Sequence, residues 1–171
     1  MIGSASFDRT RRYRYTLTRC WDSSAGRVAF VMLNPSRADA SEDDPTIRRC
    51  VRFARDWGFG SLEVVNLFAW RARRPVELRG VSDPVGPRCD LSIRRAASRS
   101  QALVAAWGVH GTFLGRDRLL ADLDRRHGLL LGRGDPVWCL GTTRAGQPRH
   151  PLYVPASRRR VPWATDPARA P

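Results

Sequence analysis

Val28-Ala29-Phe30-Val31-Met32-Leu33-Asn34-Pro35-Ser36 is the stretch whose reading decides the fold. The unbroken apolar run 28–33 reads as a strand buried on both faces, the pattern of a central parallel strand. Proline ends it, because a ring nitrogen has no N–H for the ladder and biases the preceding residue toward extended geometry. Asn34 then stands at the carboxyl end of a core strand, where open α/β sheets place their ligands. The plainer alternative is that Asn-Pro-Ser is an ordinary strand-to-loop turn.

On the amino-terminal side, Arg12 to Cys20 alternates, with Tyr13, Tyr15 and Leu17 on one face. This predicts an exposed or edge strand, joined through the turn residues 22–26 into a hairpin with 27–33. On the carboxyl side, Asp44-Pro45-Thr46-Ile47 has the form of a helix start, with Asp44 as N-cap and Pro45 at the first helical position. Ile47, Cys50, Val51, Ala54 and Trp57 continue at helical spacing until Gly58. A second buried strand is expected at 62–68, a long loop at 71–87, and a helix near 89–98. A third strand follows at 102–107, a helix at about 113–126 ending before Gly128, and a fourth strand at 136–140 after the turn residues 132–135. His150 to Val154 reads as a short extended piece.

Alternation of short apolar strands with helices implies an α/β fold: a three-layer α/β/α sandwich. Its mainly parallel central sheet would have about four core strands plus an N-terminal edge hairpin strand. The expected organisation is a single domain over 1–156 followed by a basic, proline-rich tail over 157–171.

The 171 residues suit one domain with a real core, and composition is ordinary at 42% hydrophobic and 27% charged. No segment approaches the roughly 18 unbroken apolar residues that a membrane span needs, and residues 1–10 lack a signal-peptide apolar region. The expected location is the cytoplasm, with no membrane partner and a monomer as the default state. Thirty basic residues, every one of them arginine, outweigh 16 acidic ones for a net charge of +14. Codon bias in a GC-rich genome would explain arginine replacing lysine but not the excess itself. Such a field attracts polyanions, and arginine forks onto phosphate and stacks on bases, so nucleic acid is the expected partner. Cysteines at 20, 50, 89 and 139 and histidines at 110, 127 and 150 fit no zinc or iron–sulfur spacing. No metal, cofactor or disulfide is expected, and Cys50 and Cys139 read as small core residues.

Each core strand leads into a chemically pointed stretch: Asn34-Pro35-Ser36, Asn66, Trp107-Gly108 and, after a loop, Arg149-His150-Pro151-Leu152. Parallel strands would gather these ends into one cleft. The order of motifs resembles the uracil-DNA glycosylase superfamily, whose motifs are Gly-x-(Asp/Asn)-Pro, Leu-Leu-Asn, Leu-Leu-Trp-Gly and His-Pro-Ser. The matching stretches are Leu33-Asn34-Pro35-Ser36, Val64-Val65-Asn66, Ala105-Ala106-Trp107-Gly108 and His150-Pro151, spread over 28–154. Met32 replaces the superfamily's first glycine, and Leu152 its serine. The wording also resembles a bacterial domain family of unknown function patterned Met-Leu-Asn-Pro-Ser…Asp-Asp-Pro-Thr…Arg-His-Pro-Leu-Tyr, which brings no activity with it.

The superfamily resemblance implies a DNA glycosylase hydrolysing the N-glycosidic bond of a flipped-out damaged, mismatched or modified base in double- or single-stranded DNA. Asn34 would orient the attacking water and His150 would donate a hydrogen bond, as neutral imidazole, to the departing base. Asn66 would read the base edge, with Pro35, Ser36 and Trp107 around it and Trp70 as a further stacking ring. Arg71, Arg73, Arg74, Arg149 and Leu152 would contact DNA. Each has a plainer reading: loop histidine, buried tie, core indole, solvated arginine. A carboxylate from Asp39, Asp43 or Asp44 could assist if the loop folds back, although loop and helix cap explain them as well. Two rival functions are a nucleic-acid-binding module of the same fold without catalysis, and a hydrolase of free nucleosides or nucleotides.

Overall fold

The computed structural model describes residues 1–127 and 136–163. Seven strands form one sheet: β1 (Ile2–Phe7), β2 (Arg14–Cys20), β3 (Arg27–Met32), β4 (Ser61–Asn66), β5 (Ala102–Ala105), β6 (Trp138–Cys139) and β7 (Val161–Pro162). Their order is β1-β2-β4-β3-β5-β6-β7. The apolar run 28–33 is the reason for this arrangement. A strand with no polar face needs cover on both sides, and β3 obtains it between parallel β4 and parallel β5. Alternate β3 residues enter two cores. Val28 and Phe30 join helix α1 (Pro45–Asp56) through Ile47, Cys50, Phe53 and Ala54. Ala29 and Val31 join α2 (Cys89–Arg99) through Ile93, Ala96 and Ala97, with Leu120 and Leu123 of α3 (Leu119–His127).

The sheet is mixed, which corrects the expected mainly parallel one. β4, β3, β5 and β6 run parallel, while the pairings of β1 with β2, β2 with β4 and β6 with β7 are antiparallel. Nor does β2 form the expected hairpin with β3. Both edges of β3 are occupied, so β2 crosses to β4, with Leu17 opposite Val64 and Cys20 opposite Ser61. The short polar start of the chain becomes β1, pairing Ile2 with Cys20. The helix expected from 113 begins at Leu119, because Leu114 and Gly115 adopt positive φ (53° and 65°) and break it. One 3-10 turn, Pro75–Gly80, interrupts the expected long loop and buries Leu78; another, Pro151–Tyr153, replaces the extended piece. β7 pairs with β6 inside the stretch read as tail, and Arg160 lies over the rings of Trp57, Phe59 and Trp138. The expected end of α3 at Gly128, the turn at 132–135 and residues 164–171 lie outside the described residues.

Two buried charges tie the sheet to its surroundings. Glu63 of β4 is fully buried and held by a two-pronged contact from Arg99 of α2, with Arg27 at 3.7 Å. Arg19 of β2 binds Asp43 and the carbonyls of Asp39 and Glu42, pinning the loop between β3 and α1 to the sheet. Among the described residues, no helix is long and apolar enough to cross a membrane.

Helix α1 starts as its sequence requires: the Asp44 carboxylate accepts the Ile47 N–H at 2.9 Å and Pro45 opens the first turn. Asp44→Ala is expected to cost about 1 kcal/mol in urea unfolding and Asp44→Asn only a few tenths, since an amide also caps. Equal losses in both variants would contradict the capping role.

A candidate active site at the carboxyl ends of the parallel strands

Beyond the ends of β3, β4 and β5 lies a cleft of about 830 Å³, within the range of small-molecule sites. Backbone continuity builds its floor. The pairing of β3 with its neighbours extends past the strands through Leu67 N–H to Met32 O, Phe68 N–H to Leu33 O and Ala106 N–H to Val31 O, each 2.9 Å. Gly108 then takes φ +75°, its N–H reaching Pro148 O at 2.8 Å, and the returning loop brings His150 alongside. Any side chain at Gly108 would be strained by that φ.

The cleft brings together Asn34, Ser36, Asn66, Trp107, Arg73, Arg149, His150 and Leu152 from the sequence-predicted set. Pro35, Arg71 and Arg74 do not line it. The Pro35 carbonyl is spent on Asn34 and Ala72, Arg71 ties the Ser36 carbonyl and stacks on Phe7, and Arg74 pairs with Glu77. Trp70 stands away from it as well, edge-on to Tyr13. Trp107 borders the cleft as a wall. It is 1% exposed, its indole N–H donates to Gln147 at 2.8 Å, and Trp163 meets it in a T-shaped contact. A Cβ on Gly111 would fall 2.2 Å from this indole, so the close approach requires glycine there.

Four polar side chains set the chemistry. Asn34 commits its Nδ2 to the carbonyls of Ala72 (2.8 Å) and Pro35 (3.0 Å), which leaves Oδ1 as an acceptor without a partner among the described residues. Asn66 is 3% exposed; its Oδ1 accepts from Arg14 Nη2 at 3.3 Å, while its Nδ2 has no hydrogen-bond partner among the described residues. The His150 ring accepts the Leu152 N–H on Nδ1 at 3.3 Å. Burial pushes its pKa down to about 4 against the attraction of Asp44, so at neutral pH the ring is uncharged and its proton sits on Nε2. Asp44 borders the cleft while capping α1. The other two acidic candidates do not reach it. Asp39 is occupied by the Ser41 and Glu42 N–H groups, and Asp43 by Arg19.

The residue the sequence hid is Arg14. It is 2% exposed, lines the cleft, and donates to Ala38 O (2.8 Å) and Asn66 Oδ1, with Nε unpartnered among the described residues. Burial draws its pKa down to about 10, which still leaves it cationic at neutral pH. Simple alternation places Arg14 opposite Leu17. Between Ser6 and Phe7, however, the register of β1 passes two residues of β2 for one, and this bulge turns Arg14 inward. Beside the cleft, sharing Pro45 and Leu152 with it, runs a shallower groove edged by Arg48, Arg49 and Arg52 of α1. Among the described residues, no group of three His, Cys, Asp or Glu side chains could hold a metal ion.

Residues 14–152 match a family described as "Protein of unknown function (DUF1643)". No curated protein matches the chain, and no solved structure matches it.

The His150 ring resonances are expected to keep their neutral-form positions between about pH 8 and about pH 5, and to titrate only near 4. Because an unfolded histidine takes up its proton near 6.5, folding stability falls as pH drops from 6.5 toward 4. A His150 titration at its ordinary pKa would contradict the buried, neutral ring.

Proposed function

The chain belongs to the DUF1643 family, whose description assigns no activity, and from its cleft we propose a DNA glycosylase that hydrolyses the N-glycosidic bond of a base turned out of the stack. The observation that carries the reading is the meeting of Asn34, Asn66 and His150, far apart in the chain, around one volume with complementary hydrogen-bonding roles. The scaffold is read as a three-layer α/β/α arrangement, and the superfamily resemblance supports the same activity.

As the base–sugar bond breaks, positive charge grows on the sugar and the bonding electron pair passes to the base. Fixed donors aimed at the base then stabilise the transition state more than the ground state. Neutral His150 offers Nε2–H for this, and Asn66 offers its unspent Nδ2–H. On the sugar side, Asn34 Oδ1 accepts one hydrogen of water and holds its oxygen toward C1′. An amide is too weak a base to remove the proton, so Asp44 is assigned that step: its carboxylate takes the water's proton as the new C–O bond forms. Water is the sole co-substrate, and no cofactor enters. Arg37, Arg73 and Arg149 at the mouth, with the α1 arginines beside it, would carry the DNA backbone, and Leu152 would meet the opened stack. The protein is taken to act as a monomer on double- or single-stranded DNA.

Oligonucleotides carrying uracil, mismatches or modified bases, incubated with the protein and treated with alkali, are expected to break at abasic sites. Asn34→Ala and His150→Ala should each slow this by about 100- to 1,000-fold. Salt-sensitive binding without abasic sites on any substrate would instead mark a binding module. Base release confined to free nucleosides would mark a nucleoside hydrolase. Asp44→Asn, which keeps the helix cap, is expected to lose at least about tenfold in rate at unchanged fold. Full activity in that variant would remove Asp44 from the mechanism.

A further inference from the structure

We infer that the turn between β1 and β2 is a phosphate-binding surface beside the cleft, carrying the backbone of a DNA strand on Arg9, Arg11 and Arg12. The inference rests on the glycosylase reading for the class of polyanion and names the surface that holds it. One side chain builds the turn. Asp8 accepts the N–H groups of Thr10 (3.0 Å) and Tyr13 (2.9 Å) and the Thr10 hydroxyl, and its own N–H reaches Tyr13 O at 3.1 Å. This closure holds Arg11 at φ 58°, a region that residues with a Cβ seldom occupy. Glycine or asparagine would sit there with less strain, so the turn alone does not call for arginine.

Arg71 fixes the turn to the mouth of the cleft. Its guanidinium donates to Arg11 O and Ser36 O, both at 3.3 Å, and to Arg37 O at 3.5 Å; Ser36 and Arg37 line the cleft. Arg11 and Arg71 lie over the Phe7 ring, 4.2 and 5.2 Å from its centroid, and Arg12 lies 6.0 Å from that of Trp70. Stacking holds a guanidinium by its face and leaves the N–H edge free. Arg9, Arg11 and Arg12 are exposed, and among the described residues no carboxylate or carbonyl accepts a hydrogen bond from their side chains. The arginines of α1 differ. Arg48 and Arg49 donate to the carbonyls of Asp43 and Val154, and Arg52 lies 3.9 Å from Asp56. With Arg37 adjoining, the turn offers more guanidinium groups than one phosphate engages, which suits consecutive phosphates of a strand. Arginine already covers both rings, so the surface holds a backbone without stacking on its bases.

Binding of undamaged DNA tests this apart from excision. A fluorescent oligonucleotide is titrated at a series of salt concentrations, and the slope of log affinity against log salt is read. Replacing Arg9, Arg11 and Arg12 together by Gln is expected to lower the slope by about 2 to 3, and the affinity at about 0.1 M salt by at least tenfold. The same loss of charge at Arg95, Arg158 and Arg159, exposed residues that do not line the cleft, should leave the slope nearly unchanged. Should the first triple variant fail to fold, Arg9→Gln alone decides, with an expected fall of about 0.7 to 0.9. Equal falls in the two triple variants, an unchanged slope in the first or in Arg9→Gln, or no DNA binding by the wild type would each overturn the inference. So would polyglutamate displacing the oligonucleotide as well as unlabelled DNA does. Abasic sites formed with the slope unchanged would sink it and leave the glycosylase reading intact. The expected fall in slope without abasic sites on any DNA would do the reverse.

Discussion

An apolar strand with no polar face has to be walled in on four sides, and β3 imposes that requirement on the rest of the chain. Parallel neighbours occupy both its edges and helices cover both its faces. Parallel pairing in turn obliges β3, β4 and β5 to end on the same rim, since each crossover returns the chain to the far end before the next strand begins. Asn34, Asn66 and Trp107-Gly108 become neighbours for that reason alone. Nothing in the local chemistry of any one of these residues would have brought it to the others.

Residues that alternate or repeat cleanly were legible. The run 28–33, the Asp44-Pro45 helix start and the apolar spacing of 47–57 all specify local structure with little help from the rest of the chain, and each stands where its pattern puts it. What escaped depends on partners distant in sequence. β2 pairs with β4 because β3 has no edge left, a fact about the whole sheet that a hairpin-length turn at 22–26 does not disclose. Arg14 escaped for a finer reason. A single extra residue in β2 reverses the face it points to, and a bulge of that kind is set by pairing with β1. At the site, Asn34 and His150 were visible as punctuation at strand and loop ends. The exclusion of Pro35, Arg71 and Arg74 required knowing where their carbonyls and guanidinium groups were already committed.

The electrostatics of the cleft differ in kind from those of the surface. Most of the excess positive charge is solvated arginine, weakened by salt and suited to holding a polyanion without reading it. Arg14 is withdrawn from water and screened little, and its charge is aimed through Asn66 at a fixed point. His150 is the counterpart: burial keeps it uncharged, so the donation proposed for it would add no second cation to the floor of the cleft. In the proposed reaction, orientation of water by Asn34, donation from Asn66 and His150, and a carboxylate at the head of α1 would divide the work among groups that need no rearrangement to act.

The central claim is that three side chains from three separate segments contact one extruded base. The most direct measurement is a crystal structure of the chain with an oligonucleotide whose target sugar carries a 2′-fluorine, which disfavours the cationic sugar and slows cleavage. The expected result is a base outside the stack with its oxygens in hydrogen-bond reach of Asn66 Nδ2 and His150 Nε2, and a water on Asn34 Oδ1. A duplex left stacked, held by surface arginines with the cleft empty of any base, would contradict it.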